Sequence, residues 1–437
     1  MRSSAERETA ARLLVRVAGG AFASRLLEET SSSGIRVRVL GVLRWERLLD
    51  ETISGVSRRP LEKLDAEVLA VLRLGLFEAA ILGVPVPVAT DGSVRLVRRL
   101  GKGSAAGMVN AVLRVANTRF AAVRDGAPPD VRLSHPRWLF ERWRNHFGIE
   151  AAVAAMEAAQ RPADLWVWWT SETARERAAA TIDGLEEHPW CPGAWRAPST
   201  ARALISAVRA GEAYAQDPAS QLAGHLAAGL ARELERPRLV DLCAAPGGKT
   251  ALTLARRPSA AAGSGEGSRV WGAAIAMDLH AGRTRLLRDN LERMGCRVPV
   301  VTGDAGFPPL QRRAWDVVVL DAPCSGTGTL RRHPELRRRL GEKDLRILAE
   351  RQRRLVTSAL DLVAPGGRLL YTTCSVEPEE NEALFEPPFE GFEAVSLGPL
   401  LPAGCPAHPT SAGGIRLLPA EEADGFTYHA LTRIIVE

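Results

Sequence analysis

Long apolar runs are missing from this sequence: no stretch approaches the ~18 uninterrupted apolar residues that a membrane-crossing helix needs. The opening MRSSAERETAARLL carries acidic residues and no apolar core of signal-peptide length. Both absences predict a cytoplasmic chain without a membrane partner. Cysteine is sparse and scattered: Cys191, Cys243, Cys296, Cys324, Cys374 and Cys405 show neither CxxC nor His-rich spacing. That argues against a disulfide framework and a zinc site, so no metal is expected, and any special cysteine should act as a free thiol. Lysine is scarce beside arginine, with only Lys63, Lys102, Lys249 and Lys343 among 57 basic residues. A lysine inside a motif here asks for a chemical explanation.

What is present points to a folded chain of several parts. A length of 437 residues exceeds what one hydrophobic core usually serves, so two or three domains are expected. Apolar residues make up 46% and charged residues 25%, the balance of a globular protein. The net charge of +6 is unevenly spread: residues 1–134 hold 21 Lys+Arg against 14 Asp+Glu, and the remainder 36 against 37. A basic first third suits a phosphate backbone, though it equally suits a well-solvated surface.

Residues 5–118 place apolar side chains at spacings of three and four almost throughout, as in RVLGVLRWERLLDETI and EKLDAEVLAVLRLGLFEAAIL. The VPVP at 84–87 breaks one helix from the next, since proline cannot continue the hydrogen-bond ladder. An all-helical domain over 1–130 is expected, with a linker in RDGAPPDVRLSHP (124–136). Residues 136–215 pass from helical patterns to the strand-like LWVWWT and read as a small α+β subdomain. From 216 to 437 strand-like RLVDLCAA, VWGAAIAMD, VPVVTGD, WDVVVLDAP and GRLLYTTCS alternate with helices, the pattern of a parallel sheet covered on both faces. The final YHALTRIIVE reads as an edge strand, and 258–268 as a flexible surface loop.

Chemistry-bearing residues gather at the ends of these strands. The first ends in DLCAAPGGKT (241–250), where Pro246, Gly247 and Gly248 turn the chain into a helix. Ligands of open α/β sheets bind at the carboxyl ends of strands, and a glycine turn lets backbone N–H groups approach them; alone, it is also an ordinary tight turn. Asp278 ends the second strand, where its two oxygens match a ribose diol, and Asp304 ends the third, suited to an adenine amino group. Each by itself would serve as a helix N-cap, but three such ends in order point to a nucleoside cofactor. The glycines do not follow the GxGxxG of nicotinamide sites, which favours S-adenosylmethionine. The fourth strand ends in DAPCSGTG (321–328) and the fifth in TTCS (372–375), so Cys324 and Cys374 stand at the mouths of expected neighbours. One buried cysteine is usually a small apolar filler; two at such positions are harder to dismiss.

DLCAAPGGKT, AMDLHAGR, VTGD, DAPCSGTGTLRRHPE, LVAPGGRLLYTTCSVEPEEN and LLPAEEADGFTYHAL resemble, in order, the motifs of the NOL1/NOP2/Sun family of RNA cytosine-C5 methyltransferases. GVLRWERLLD, LRLGLFEAAIL and GMVNAVLR resemble the NusB-like RNA-binding domain that bacterial ribosomal-RNA members carry ahead of the catalytic half. With SHPRWLFERW and AYAQDPASQL, the resemblance covers nearly the whole chain. It implies an α/β fold: a Rossmann-like class I methyltransferase domain with a mostly parallel seven-stranded sheet, preceded by an all-α NusB-like domain and a small α+β subdomain. It implies Cys374 as nucleophile and Cys324 as the helper in elimination. Cofactor contacts map onto Cys243, Ala244, Ala245, Pro246, Gly247, Gly248 and Lys249, with Asp278, Arg283, Asp304 and Asp321. In DNA cytosine-C5 methyltransferases the cysteine of the PC motif is the nucleophile, so the presence of both motifs separates the two classes. The resemblance lapses at Trp168, Trp169 and Thr170, where the family often shows Arg-x-Asn.

Chemistry explains the thiol. Cytosine C5 is a poor nucleophile until a thiolate adds to C6, which divides one difficult step into easier ones. A cation such as Lys249 would favour the thiolate, giving that lysine a catalytic part. The implied partner is small-subunit (16S) ribosomal RNA, free or in a partly assembled particle, acted on by a monomer. The same chemistry on transfer RNA or another RNA is a second reading. A non-catalytic ribosome-assembly factor is a third, against which the intact thiol pair speaks. Residues 331–354, with ten Lys+Arg and four Asp+Glu, are expected to include phosphate contacts.

Overall fold

The computed structural model describes residues 2–30, 32–196, 202–256 and 271–435; the loop expected at 258–268 lies outside them. Two units compose it: Met1–Pro162 with Leu330–Leu340, and Ala163–Thr329 with Gly341–Glu437. The first is helical throughout, with α1 (Arg2–Ala18), α2 (Ala23–Glu28), α3 (Ser33–Ser54), α4 (Ala66–Ala80), α5 (Val86–Arg99), α6 (Ala106–Gly126), α7 (Pro129–Arg132), α8 (Arg137–Phe147) and α9 (Ile149–Gln160). The Ser32 side chain caps α3 by accepting the Ile35 N–H, and α5 opens with proline in its first turn, where a missing N–H costs nothing. Leu48, Leu49, Ile53, Leu72, Leu96 and Leu113 from α3 to α6 meet in one core.

The second unit begins with a small sheet made of β1 (Trp166–Trp169), β2 (Glu186–Glu187), β3 (Ala194–Arg196) and β4 (Ala213–Ala215), with helices α10 (Glu172–Ala179) and α11 (Arg202–Ala210). Its order is β2-β3-β1-β4, all antiparallel. Alternation along β1 sends Val167 and Trp169 against α10 and α11, and Trp168 into a cluster with Tyr214, Leu252 and Leu287. The tryptophans at the family departure are therefore packing residues on opposite faces of one strand.

The main sheet follows, from α12 (Pro218–Leu230), β5 (Arg238–Asp241), α13 (Gly248–Ala255), β6 (Ala273–Asp278), α14 (Ala281–Arg293), β7 (Val300–Thr302) and β8 (Trp315–Asp321). After α15 (Leu336–Arg339), a single turn belonging to the helical unit, come α16 (Glu342–Leu362), β9 (Val363–Thr373), β10 (Phe392–Ala394), β11 (His408–Pro409), β12 (Ile415–Leu417) and β13 (Phe426–Arg433). The order β11-β12-β13-β9-β8-β5-β6-β7, with β10 also on β13, makes nine strands where seven were expected; the fold class stands. Strands β5 to β9 are parallel, and the other four antiparallel. Leu239, Val317, Val319 and Leu370 face α12, while Val240, Val318, Leu320 and Leu369 face α16, which is why these strands read as nearly continuous apolar runs. The expected edge strand at 428–437 is instead interior: β13 pairs with β9 on one side and β12 and β10 on the other, and Phe426–Leu431 is buried throughout. No helix among the described residues is long and apolar enough to cross a membrane.

The boundary expected at 130–136 moves to 162–163. Arg47 pairs with Asp130 at 2.6 Å, the Gln160 amide donates to the Leu133 carbonyl at 2.6 Å, and Trp143 is fully buried, so α7 to α9 complete the helical unit. Residues 330–340 join the same unit through a buried cation. The Arg337 guanidinium donates to the carbonyls of Arg44 (2.8 Å), Ser134 (3.2 Å) and Ala159 (2.9 Å) and to the Gln160 side chain (3.1 Å). No carboxylate pairs with it among the described residues; burial, with Arg44 adding, pushes its pKa well down. Arg331 is buried too, so the basic run at 331–354 splits, and these two arginines serve the fold rather than a phosphate. Arg337→Ala strands three buried carbonyls and is expected to cost on the order of 3 kcal/mol in urea unfolding of the intact protein, against under about 0.5 kcal/mol for the exposed Arg346→Ala.

Candidate active site

Parallel pairing sets Asp321 of β8 beside Thr372 of β9, and the Thr372 hydroxyl donates to Asp321 Oδ1 at 2.8 Å. Just beyond these strand ends the Cys324 and Cys374 sulfurs lie 3.2 Å apart. Lys249, in the first turn of α13, reaches Asp321 Oδ2 at 2.7 Å, and its ammonium stands 5.3 Å from the centre of the Phe426 ring. The Gly328 N–H donates to the Cys374 carbonyl and the Gly425 N–H to the Gly328 carbonyl, at 3.0 and 2.9 Å. A methyl on Gly328 would sit 2.0 Å from the Gly425 oxygen, so this clasp between the two cysteine loops and the start of β13 requires glycine.

Asp321, Cys324, Cys374, Lys249 and Phe426 line a cleft of about 380 Å³. Of the expected cofactor set, Cys243, Ala245, Lys249, Asp278, Arg283, Asp304 and Asp321 form its walls, together with both cysteines. Ala244, Pro246, Gly247 and Gly248 do not; they shape the turn behind it. Gly247 adopts φ +110°, which an L side chain resists, and a methyl on Gly248 would meet the Tyr214 ring at 2.4 Å. Asp278 holds this turn, accepting the Ala245 N–H at 3.2 Å while pairing with Arg283 at 3.1 Å. A carboxylate has about four acceptor positions, so room remains on Asp278 for a diol. The Asp304 carboxylate accepts the Gly306 N–H on Oδ1 at 2.8 Å and no other hydrogen bond among the described residues, leaving Oδ2 for an amino donor. The acceptors present therefore fit a nucleoside. No group of three His, Cys, Asp or Glu among the described residues could hold a metal.

Electrostatics distinguish the groups in the cleft. Burial alone would drive Lys249 down, but the charge of Asp321 and its hydrogen bond, with Cys374 and Asp241 adding, together outweigh it and the net shift is upward, so the ammonium stays charged. The hydrogen bond with Cys374 pushes the Cys324 pKa well up, with burial and the Glu380 and Asp321 charges adding. Cys324 therefore keeps its proton, and a hydrogen bond joins the two sulfurs.

The sequence reading missed Glu380. Its buried carboxylate accepts the Ser325 N–H (2.8 Å), the Gln352 amide (2.9 Å) and the Ser325 hydroxyl, which lies 3.1 Å from the Ser375 hydroxyl. One carboxylate thus ties the residue after Cys324 to the residue after Cys374. It sits in the VEPEEN segment, a signal present in the sequence to which no role was attached. Phe426, Arg351, Leu279 and His280 also line the cleft unanticipated.

Beneath the cleft Asp241 is fully buried, and its Oδ2 accepts the Thr250 hydroxyl at 2.6 Å. Burial, with the Asp321 charge adding against the Thr250 bond, pushes it up to about 7 from 3.8. Its contribution to stability is complete below the unfolded value and is lost as pH rises through the folded one. Asp241→Asn should therefore raise Tm relative to wild type near pH ~8, with the gap closing toward pH ~4; a gap independent of pH would count against a buried carboxyl that titrates there.

Comparisons with known proteins identify the family. A family model described as 16S rRNA methyltransferase RsmB/F matches residues 230–432, and the NusB family model matches 4–117. Ribosomal RNA small subunit methyltransferase B of Klebsiella pneumoniae subsp. pneumoniae is 31% identical over 407 residues, covering 90% of this chain and 88% of its own. The protein of the same name from Vibrio cholerae is 30% identical over 409 residues, covering 90% and 87%. Among solved structures, PH0851 superposes with a TM-score of 0.75 at 23% identity over 98% of both chains. NSun6 from Pyrococcus horikoshii with SFG gives 0.56 at 19% identity, covering 69% of this chain and 99% of the other. These two likenesses concern the fold. The chain belongs to the RsmB/F family of methyltransferases, with S-adenosylmethionine as its cofactor.

Proposed function

We propose that this protein methylates carbon 5 of a cytosine in small-subunit 16S ribosomal RNA, with Cys374 forming a covalent bond to C6. The observation that carries this reading is the pair of thiols 3.2 Å apart beside the nucleoside-binding wall. Filling a core would require neither the pairing nor the adjacent ammonium. The names of the relatives, together with the NusB-like first domain, support ribosomal RNA over transfer RNA.

Cys374 as thiolate adds to C6 and raises electron density at C5. Asp321 holds the Lys249 ammonium in place, and that positive charge lines the cleft that the attacking sulfur shares. S-adenosylmethionine, when bound, supplies a methyl group on a sulfonium, an electrophile that the activated C5 can take. Asp278 would hold its ribose hydroxyls and Asp304 its adenine amino group, with Cys243, Ala245, Lys249 and Arg283 in the wall and Ala244, Pro246, Gly247 and Gly248 shaping the turn behind it. A base then takes the C5 proton, the freed electron pair restores the C5–C6 double bond, and Cys374 leaves C6 as a thiolate. The Cys324 thiol donates a hydrogen bond to the departing sulfur and so eases elimination.

A methyl-transfer assay on unmodified 16S ribosomal RNA, with bisulfite mapping and a denaturing gel for protein–RNA adducts, tests these roles. Wild type should yield 5-methylcytosine, Cys374→Ala should be inactive without an adduct, and Cys324→Ala should accumulate one. Activity surviving in Cys374→Ala would refute the mechanism. Product on transfer RNA alone would move the substrate, and an inactive wild type would favour an assembly factor. Asp278→Ala is expected to weaken S-adenosylmethionine binding about 10- to 100-fold by calorimetry, the worth of hydrogen bonds to a charged acceptor.

A further inference from the structure

Phe307 is 87% exposed, the most exposed large apolar side chain among the described residues. It is nonetheless held in a well-braced loop. Its N–H donates to the Asp304 carbonyl at 2.9 Å, the Gly306 N–H to the Asp304 side chain at 2.8 Å, and the Ser358 hydroxyl to the Gly306 carbonyl at 2.7 Å. Pro308 and Pro309 follow and restrict the backbone further. One exposed ring is ordinary on a protein surface; what distinguishes Phe307 is the braced loop that presents it beside the cleft and the groups around it.

The surroundings indicate which partner. Asp304 and Ala305, just before the ring, line the cleft, as do Arg351 and Leu355 of α16. Ile347, Arg351, Arg354 and Ser358 are spaced four, three and four apart and share one face of that helix. Ile347 is 64% exposed, both arginines are exposed, and neither guanidinium makes a hydrogen bond or ion pair among the described residues. From Arg351 at the cleft to Ser358 beneath the Phe307 loop the helix rises about 10 Å. Unpaired guanidinium groups interleaved with exposed apolar side chains, leading away from a catalytic cleft, complement a single nucleic-acid strand: phosphates take the charges and bases take the ring.

We propose that Phe307 and the Ile347–Arg351–Arg354 face of α16 form the track for nucleotides flanking the target cytosine, Phe307 stacking on a base and the arginines holding phosphates. This rests on the reading that RNA is the substrate. A target base that must leave its stack to reach two thiols needs its neighbours held, and a stacking platform beside the cleft supplies a substitute for the lost stacking.

Fluorescence anisotropy of the full chain with a labelled, short single-stranded oligoribonucleotide of mixed sequence tests the track. Phe307→Ala should weaken binding on the order of tenfold or more, Phe307→Trp should retain it, and Arg354→Gln should flatten the dependence of log affinity on log salt by about one. S-adenosylhomocysteine affinity should be unchanged in all three, which also confirms folding. Wild-type RNA affinity in Phe307→Ala would overturn the proposal, as would a loss of S-adenosylhomocysteine affinity, because the ring would then belong to the cofactor. Since binding is read without turnover, loss of affinity in Phe307→Ala combined with no 5-methylcytosine from wild type would refute the C5 chemistry alone and leave the track standing.

Discussion

The parallel pairing of β8 with β9 is the constraint on which the site depends. Five consecutive residue pairs hold the register, from Val317 with Arg368 to Asp321 with Thr372, and Cys324 and Cys374 leave the sheet three and two residues further on. A slip of one residue would turn every following side chain to the opposite face and separate the thiols. The strands pass between α12 and α16, buried on both faces, so the apolar core enforces the register that the chemistry uses.

Beyond the strand ends, polar contacts take over from the core. Asp321 is held by Thr372 and Lys249, and Glu380 gathers donors from Ser325 and Gln352. Buried carboxylates are costly when left unsatisfied, and when satisfied they hold loops in one arrangement. Here the arrangement positions two sulfurs, while Gly328 and Gly425 close the backbone around them. Asp241, with a single side-chain donor in Thr250, is the strained member of this set.

Basic residues have been put to two uses. Arg337 anchors its segment in the helical unit against carbonyl oxygens, while Arg351 and Arg354 remain exposed on α16. In the sequence both belong to one basic run. Nothing in composition separates an arginine that meets carbonyls from one that meets solvent, because the difference lies in what packs around it.

The strand ends were legible because alternation of apolar runs with helical patterns implies a parallel sheet, and ligands collect at its carboxyl edge. Cys324, Cys374, Asp278, Asp304 and Lys249 could be named from that and from the family motifs. The helical character of residues 5–118 was legible from spacing alone. The boundary at 162–163 was not: the Gly- and Pro-rich segment 124–136 looks like a linker, and only the packing of α7 to α9 shows that it is internal. The interior place of β13 was likewise hidden, since strand order depends on long-range pairing that local pattern does not encode. The sequence by itself determined which residue types stand at the strand ends, since local periodicity and motif spacing are properties of the chain. Tertiary structure alone decided that two of them meet at 3.2 Å, that Glu380 joins their loops and that Phe307 stands in water, because these depend on register and burial between residues far apart in sequence.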